Sequence, residues 1–380
     1  MNNPLLSLEP FKLERFFALY EFSVRYQMGP SDCETMRVKD LLALSGADAE
    51  KQFMDLSLGY TESTGGSDLL AAITDLYETI EPGHILTAAP EEAIFLFIMS
   101  FLSRGDHVIV MTPAYQSLLS LPIAAGCEVS TLPVEEKGDG WAINLDRLQE
   151  QIKKNTACII INSPHNPTGL VLSPEERKEL AEIARQNQIV VFCDEMYWKL
   201  EYGTDTSPPS FCEDYENAVC LSGLSKAYGL PGLRIGWLTS RRNDILKAAA
   251  SLKDYTTICS SAPSEFLAAT ALCNREAILN KTRFIVKENL KLVDTLFSNH
   301  PGILIQKRGT GGSTILPKFT PGISSEDISR RLAREKETLL VPGTLFDMSE
   351  EYFRIGLGRR ELAVALDRFN DFLEEEFGGP

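Results

Sequence analysis

Four histidines in 380 residues (His84, His107, His165 and His300) stand far apart, and no HExxH or clustered Cys/His spacing offers a metal site. The eight cysteines include no CxxC pair, and several sit in apolar runs where a reduced thiol packs as a small hydrophobe, so a reducing compartment is expected. No GxGxxG follows a strand-like run. The segment GLSKA does not form a nucleophile elbow, because Ala227 stands where the closing glycine belongs. Basic residues are in deficit, 37 against 53 acidic, for a formal charge of -16. Such a global field repels phosphate backbones and anionic lipid surfaces, so nucleic acid and membrane are not expected partners, while a local pocket can still hold one small anion. The longest apolar run, Ala93 to Leu102, is about half of what a bilayer crossing needs and reads as a buried helix. The N-terminus shows no basic region followed by a long apolar core, so no secretory signal is expected, and the protein reads as cytoplasmic.

What is present is the composition of an ordinary globular protein, 44% hydrophobic and 24% charged, in a chain long enough for two packed units. Short apolar runs, most rich in β-branched residues, alternate with helical patterns: His107 to Met111, Glu128 to Val134, Ala157 to Asn162, Ile189 to Asp194 and Ala218 to Gly223. That alternation predicts an α/β fold, a three-layer sandwich with a mostly parallel sheet. Between the third and fourth runs, Ser173, Pro174 and Glu176 form the signature of a capped helix start. After Gly236 the pattern turns to long helices, notably Arg275 to Asn299, and then to a mixed region that suits a smaller α+β domain. We expect a large domain over residues 46–275 and a small one from 1–45 and 276–380. An amphipathic stretch near Phe11 to Phe22 is expected to pack on the small domain or on a partner subunit.

Ligands of such a sheet bind beyond the carboxyl ends of its strands. The residues found there form an ordered set: Tyr115 in TPAY, Asn166 in SPHNPTG, Asp194 and Tyr197, then Ser225, Lys226 and Arg234 in LSKAYGLPGLRIGW. In order and spacing these segments resemble the aspartate aminotransferase superfamily, the fold-type I pyridoxal phosphate enzymes of aminotransferase class I/II, over about Leu56 to Gly358.

The resemblance implies pyridoxal 5'-phosphate as cofactor and a role for each position. Lys226 would hold the cofactor through a Schiff base and, once freed, move a proton from the substrate's α-carbon. Asp194 would keep the pyridine nitrogen protonated, and Asn166 and Tyr197 would hydrogen-bond the phenolic oxygen. Tyr115 would stack on the ring. Arg234 and Ser225 would take the phosphate, with backbone donors from the turn at Ala89, Pro90 and Glu91 that opens a helix. Arg354 in YFRIGLG resembles the arginine that clamps the substrate α-carboxylate, with Asn166 also near the substrate. Tyr60 resembles the tyrosine that reaches the phosphate of a neighbouring subunit, which implies a homodimer with shared sites.

The pattern also departs from the family. Gly223 stands where a Ser or Thr is usual, Pro90 lacks an amide hydrogen, and Glu91 brings a carboxylate toward the phosphate unless it turns away. No GEP-type segment shapes the substrate pocket; Phe22 to Glu34 occupies that region. The expected reaction is transfer of an amino group from an α-amino acid to a 2-oxo acid. Alternatives with the same cofactor are elimination, ring closure as in the aminocyclopropane carboxylate synthases, and modification of arginine. A non-catalytic sensor would need a basic DNA-binding module that this sequence does not show.

Overall fold

The computed structural model describes residues 8–202 and 207–378. The stretch read for a secretory signal therefore begins outside the described residues, as do the outermost residues of the expected small domain.

The chain enters through helix α1 (Lys12–Tyr20) and reaches a seven-stranded sheet. Its strands are β1 (Ile85–Ala88), β2 (His107–Thr112), β3 (Glu128–Pro133), β4 (Thr156–Asn162), β5 (Val190–Asp194), β6 (Ala218–Gly223) and β7 (Gly236–Thr239). Their spatial order is β1-β7-β6-β5-β4-β2-β3. Strand β7 runs antiparallel to both of its neighbours, and the pairs from β6 through β3 are parallel. All five predicted runs are strands of this sheet. The two further strands, β1 and β7, are four residues each and carry too little alternation to be read alone.

Successive residues along a strand face opposite sides, and here that period divides the interior in two. Ile109, Ile159, Ile161, Val191 and Trp237 enter one core with Leu180 and Ala184 of helix α3 (Pro174–Asn187). Val108, Val110, Ile160, Phe192 and Leu238 enter the other, with Leu96 and Phe97 of helix α2 (Pro90–Phe101). The result is three layers, a sheet covered by helices on both faces. Helix α3 starts as predicted: Ser173 Oγ accepts from Glu176 N at 3.1 Å, and Glu176 Oε2 accepts from Ser173 N at 2.8 Å.

A third core joins Met28 to residues between Val286 and Leu373, including Val293 of helix α4 (Arg275–Asn299) and Phe369 of helix α5 (Leu362–Phe377). It packs against a three-stranded sheet containing Phe353–Gly356. Tyr26 and Gln27 pair in parallel with Thr338 and Leu339, tying the N-terminal segment to this region. Among the described residues no helix is long and apolar enough to cross a membrane.

Candidate active site

The carboxyl ends of β2, β4, β5 and β6 converge on a cavity of about 470 Å3. Its walls include Tyr115, Asn166, Asp194, Tyr197, Ser225, Lys226, Arg234 and Arg354, together with Pro90 and Glu91 at the start of α2. Residues from one end of the sheet, and from a strand more than a hundred positions later, thus face one space.

Asp194 closes β5 and is buried; its Oδ1 accepts from Met196 N at 3.0 Å. Burial pushes its carboxyl up to about 6, and the Lys226 ammonium pulls it part of the way back. Lys226 Nζ donates to Ser31 Oγ at 2.9 Å and lies 6.0 Å from the centre of the Tyr197 ring. The loop that carries Asn166 is fixed from within. Asn166 N donates to Asn162 Oδ1 at 2.7 Å, and the buried His165 spans Thr168 Oγ1 at 2.7 Å and the Pro113 carbonyl at 2.8 Å. Burial lowers the His165 pKa to about 4, so a neutral ring ties the Asn166 loop to the Tyr115 loop.

Arg354 is 1% exposed. Its Nε donates to the Gly29 carbonyl at 3.0 Å and its Nη1 to Asn166 Oδ1 at 3.3 Å, while buried Nη2 has no acceptor among the described residues. A guanidinium is always charged, and a buried nitrogen without an acceptor leaves its desolvation cost unanswered. Ser225 Oγ is a second buried donor without a partner among the described residues. Both side chains line the cavity, so the site offers one free donor beside Arg234 and Lys226 and another beside Asn166. That arrangement fits an anion at each of two places.

The phosphate turn is built differently from the family pattern. Ala89 caps α2 without lining the cavity, and its N–H is answered by Glu92 Oε2 at 3.4 Å. Glu91 does not turn away. It faces the cavity, accepts from Ser117 Oγ at 3.3 Å, and is pushed by burial up to about 7, so near neutral pH its carboxyl can donate a proton to an anion. Gly223 has a steric reason: a Cβ there would sit 2.9 Å from Gly236 Cα and 3.1 Å from the Ile235 carbonyl oxygen. Arg234 holds φ at 55°, a left-handed conformation uncommon outside glycine. Tyr60 is not brought to this cavity; it is 90% exposed on the surface.

The wall that sequence reasoning missed comes from the N-terminus. Helix α1 contributes Leu13, Glu14 and Phe17, followed by Glu21 and then Ser31. It is held by Leu13 against Val341 and Phe346, by the Phe11 ring 5.0 Å from that of Tyr115, and by Lys12 N donating to Gln116 Oε1 at 2.8 Å. Tyr115 OH donates to Glu14 Oε1 at 3.2 Å. The amphipathic pattern near Phe11 to Phe22 was the available signal. Ser31 follows from close backbone approaches: Gly356 N donates to the Met28 carbonyl at 2.8 Å, and a Cβ on Gly356 would lie 1.7 Å from the Pro30 oxygen. Among the described residues no group of His, Cys, Asp or Glu side chains is arranged to hold a metal ion.

The family pattern described as aminotransferase class I and II matches residues 42–369. The chain belongs to this family. Family members use pyridoxal 5'-phosphate, and the unpartnered Ser225 hydroxyl beside Lys226 and the buried carboxylate of Asp194 suit that group. A pyridoxal phosphate-dependent aminotransferase from Streptococcus suis superposes with a TM-score of 0.91 at 30% identity, covering 97% of this chain and 99% of that one. The pyridoxal phosphate-dependent cyclase OrfR superposes with a TM-score of 0.90 at 28% identity, covering 97% of this chain and 98% of that one. Capreomycidine synthase from Streptomyces vinaceus is 29% identical over 375 residues, 97% of this chain and 94% of that protein. This aminotransferase-family chain is thus similar to a protein named as an aminotransferase, to one named as a cyclase and to one named as a synthase.

Proposed function

We propose that this protein transfers an amino group from an α-amino acid to a 2-oxo acid, with Lys226 as its covalent attachment point for pyridoxal phosphate. The observation that carries the reading is the buried Arg354, whose unpartnered Nη2 shares a cavity with Lys226 and Asp194. When bound, the cofactor supplies an electron sink for the pair released at the substrate α-carbon. Arg354 binds the substrate carboxylate in a two-pronged hydrogen bond, with Asn166 orienting the guanidinium. Lys226 Nζ takes the proton from the α-carbon and delivers it to its new position, a short transfer by a tethered amine. Asp194 holds a proton on the ring nitrogen, and its burial keeps that pairing out of water. Asn166 and Tyr197 bind the phenolic oxygen, Tyr115 packs on the ring, and Ser225, Arg234 and the amides at the start of α2 hold the phosphate, with Glu91 as a protonated neighbour. Tyr60, exposed on this chain, reaches the site of a second copy in a homodimer.

The same reading divides the chain into a cofactor unit over residues 46–275 and a second unit of 1–45 and 276–380, supported by the separate core around Val293 and Phe369. A cytoplasmic location is part of the proposal and is supported by the free state of all eight cysteines.

Likeness to a cyclase and to capreomycidine synthase favours a second reading, in which the same residues direct ring closure or another change at the amino acid's side chain. Mixing the holoenzyme with single amino acids separates the two. Transfer leaves the cofactor in its amine form, stable until a 2-oxo acid is added, with release of the donor's own oxo acid. Return of the starting spectrum with a cyclised or eliminated product overturns transfer.

A further inference from the structure

The cavity holds more negative charge than the proposed chemistry uses. Of its charged walls, Lys226, Arg234 and Arg354 are taken by the cofactor and the substrate carboxylate, and Asp194 by the ring nitrogen. Glu91 stands beside the phosphate as a protonated neighbour, and Glu14 and Glu21 remain, both on the cavity wall and seven residues apart, one on α1 and the other capping its end. Asp32, nearby in the chain, is already answered by Arg359 Nη2 at 2.8 Å. Among the described residues Glu21 has no such ion pair; burial raises its carboxyl above the usual range, and the Arg359 guanidinium, itself paired with Asp32, pulls it part of the way back. Among the described residues the exposed Glu14 is met only by the Tyr115 hydroxyl. Two anions, a phosphate and a carboxylate, are to be added to this space, so a cationic substrate tip gains most from the half-buried Glu21, with the solvent-exposed Glu14 adding a weaker, screened attraction.

Between them, Leu13 and Phe17 present apolar surface to the same cavity, and Phe17 lies 5.9 Å from the Arg354 guanidinium. The wall therefore carries a free cationic donor, apolar surface and two carboxylates without an ion pair among the described residues. That sequence matches an amino acid with an aliphatic stem and a charged tip.

We propose that the substrate is an α-amino acid whose side chain ends in a cation, its carboxylate on Arg354 and its tip on Glu21 and Glu14. The inference rests on the reading of the site given above and adds the substrate class to it. It assigns Glu14 and Glu21 as specificity residues, contributed by the segment that departs from the family pattern.

The test is titration of the holoenzyme, followed by cofactor absorbance and by calorimetry, with matched pairs of equal shape: L-arginine against L-citrulline, and L-lysine against L-2-aminoheptanoate. Each cationic member is expected to bind at least about tenfold more tightly than its neutral partner, the scale of a charge-assisted hydrogen bond. The pair with the larger ratio identifies guanidinium or ammonium as the tip. Glu21→Gln, and separately Glu14→Gln, narrow the ratio. Equal binding within both pairs, or tighter binding of L-glutamate, overturns the substrate class and leaves the site reading intact. If no α-amino acid changes the absorbance or gives heat, the reading of the site itself fails.

Discussion

Lys226 Nζ donates to Ser31 Oγ across 2.9 Å, joining residues 195 positions apart. The hydroxyl holds the amine toward the cavity that Asp194 and Arg354 also line. Ser31 is thus a positioning residue for the proposed proton transfer. Ser31→Ala is expected to lower kcat by about three- to tenfold, the scale of one net hydrogen bond, with the visible cofactor spectrum retained. Loss of the spectrum, or an unchanged kcat, contradicts that role.

Arg354 is the proposed carboxylate clamp. Arg354→Gln should cut kcat/KM by about two orders of magnitude, near 3 kcal/mol, with most of the loss in KM. Arg354→Lys should not restore it, because a single ammonium cannot reproduce the planar fork. Steady-state kinetics beside a melting curve separate this loss from misfolding.

The legible part of the fold was the part made of runs long enough to show a period. Five strands and the capped helix after Ser173 were readable; β1 and β7, at four residues each, were not. In the site, residues following strand ends could be found because the sheet itself places them. Ser31 could not, since its position depends on backbone contacts such as that of Gly356 with Met28, between segments more than three hundred residues apart; Glu14 and Phe17 showed only as part of an amphipathic stretch whose partners, Tyr115, Val341 and Phe346, lie far along the chain. Glu91 was readable as a departure, but its orientation into the cavity was not.

Glu91 gives a pH dependence with a definite sign. Burial raises its carboxyl from 4.5 to about 7 in the folded protein. Below 4.5 it is protonated folded or unfolded; between 4.5 and 7 only the unfolded chain loses the proton, so stability falls as pH rises through that window. In cofactor-free protein, Glu91→Gln should match the parent near pH 4.5 and exceed it by on the order of 3 kcal/mol above pH 7. Asp194, raised to about 6, leaves a residual fall in both proteins. Denaturant melts across pH are the measurement.

Gly223→Ser tests whether the missing phosphate hydroxyl can simply be restored. A Cβ there meets the backbone of Gly236 and Ile235, and backbone cannot swing aside as a side chain can. We expect a loss of about 1–3 kcal/mol in urea melts and no gain in cofactor affinity. A stable variant that binds the cofactor more tightly would show that the sheet yields at this point.

The whole reading turns on one amine. Borohydride reduction of the holoenzyme, followed by proteolysis and mass spectrometry, locates the residue to which pyridoxal phosphate is attached. The expected result is a single adduct on the peptide containing Lys226. An adduct on another lysine, or none from protein that has taken up the cofactor, contradicts the site described above.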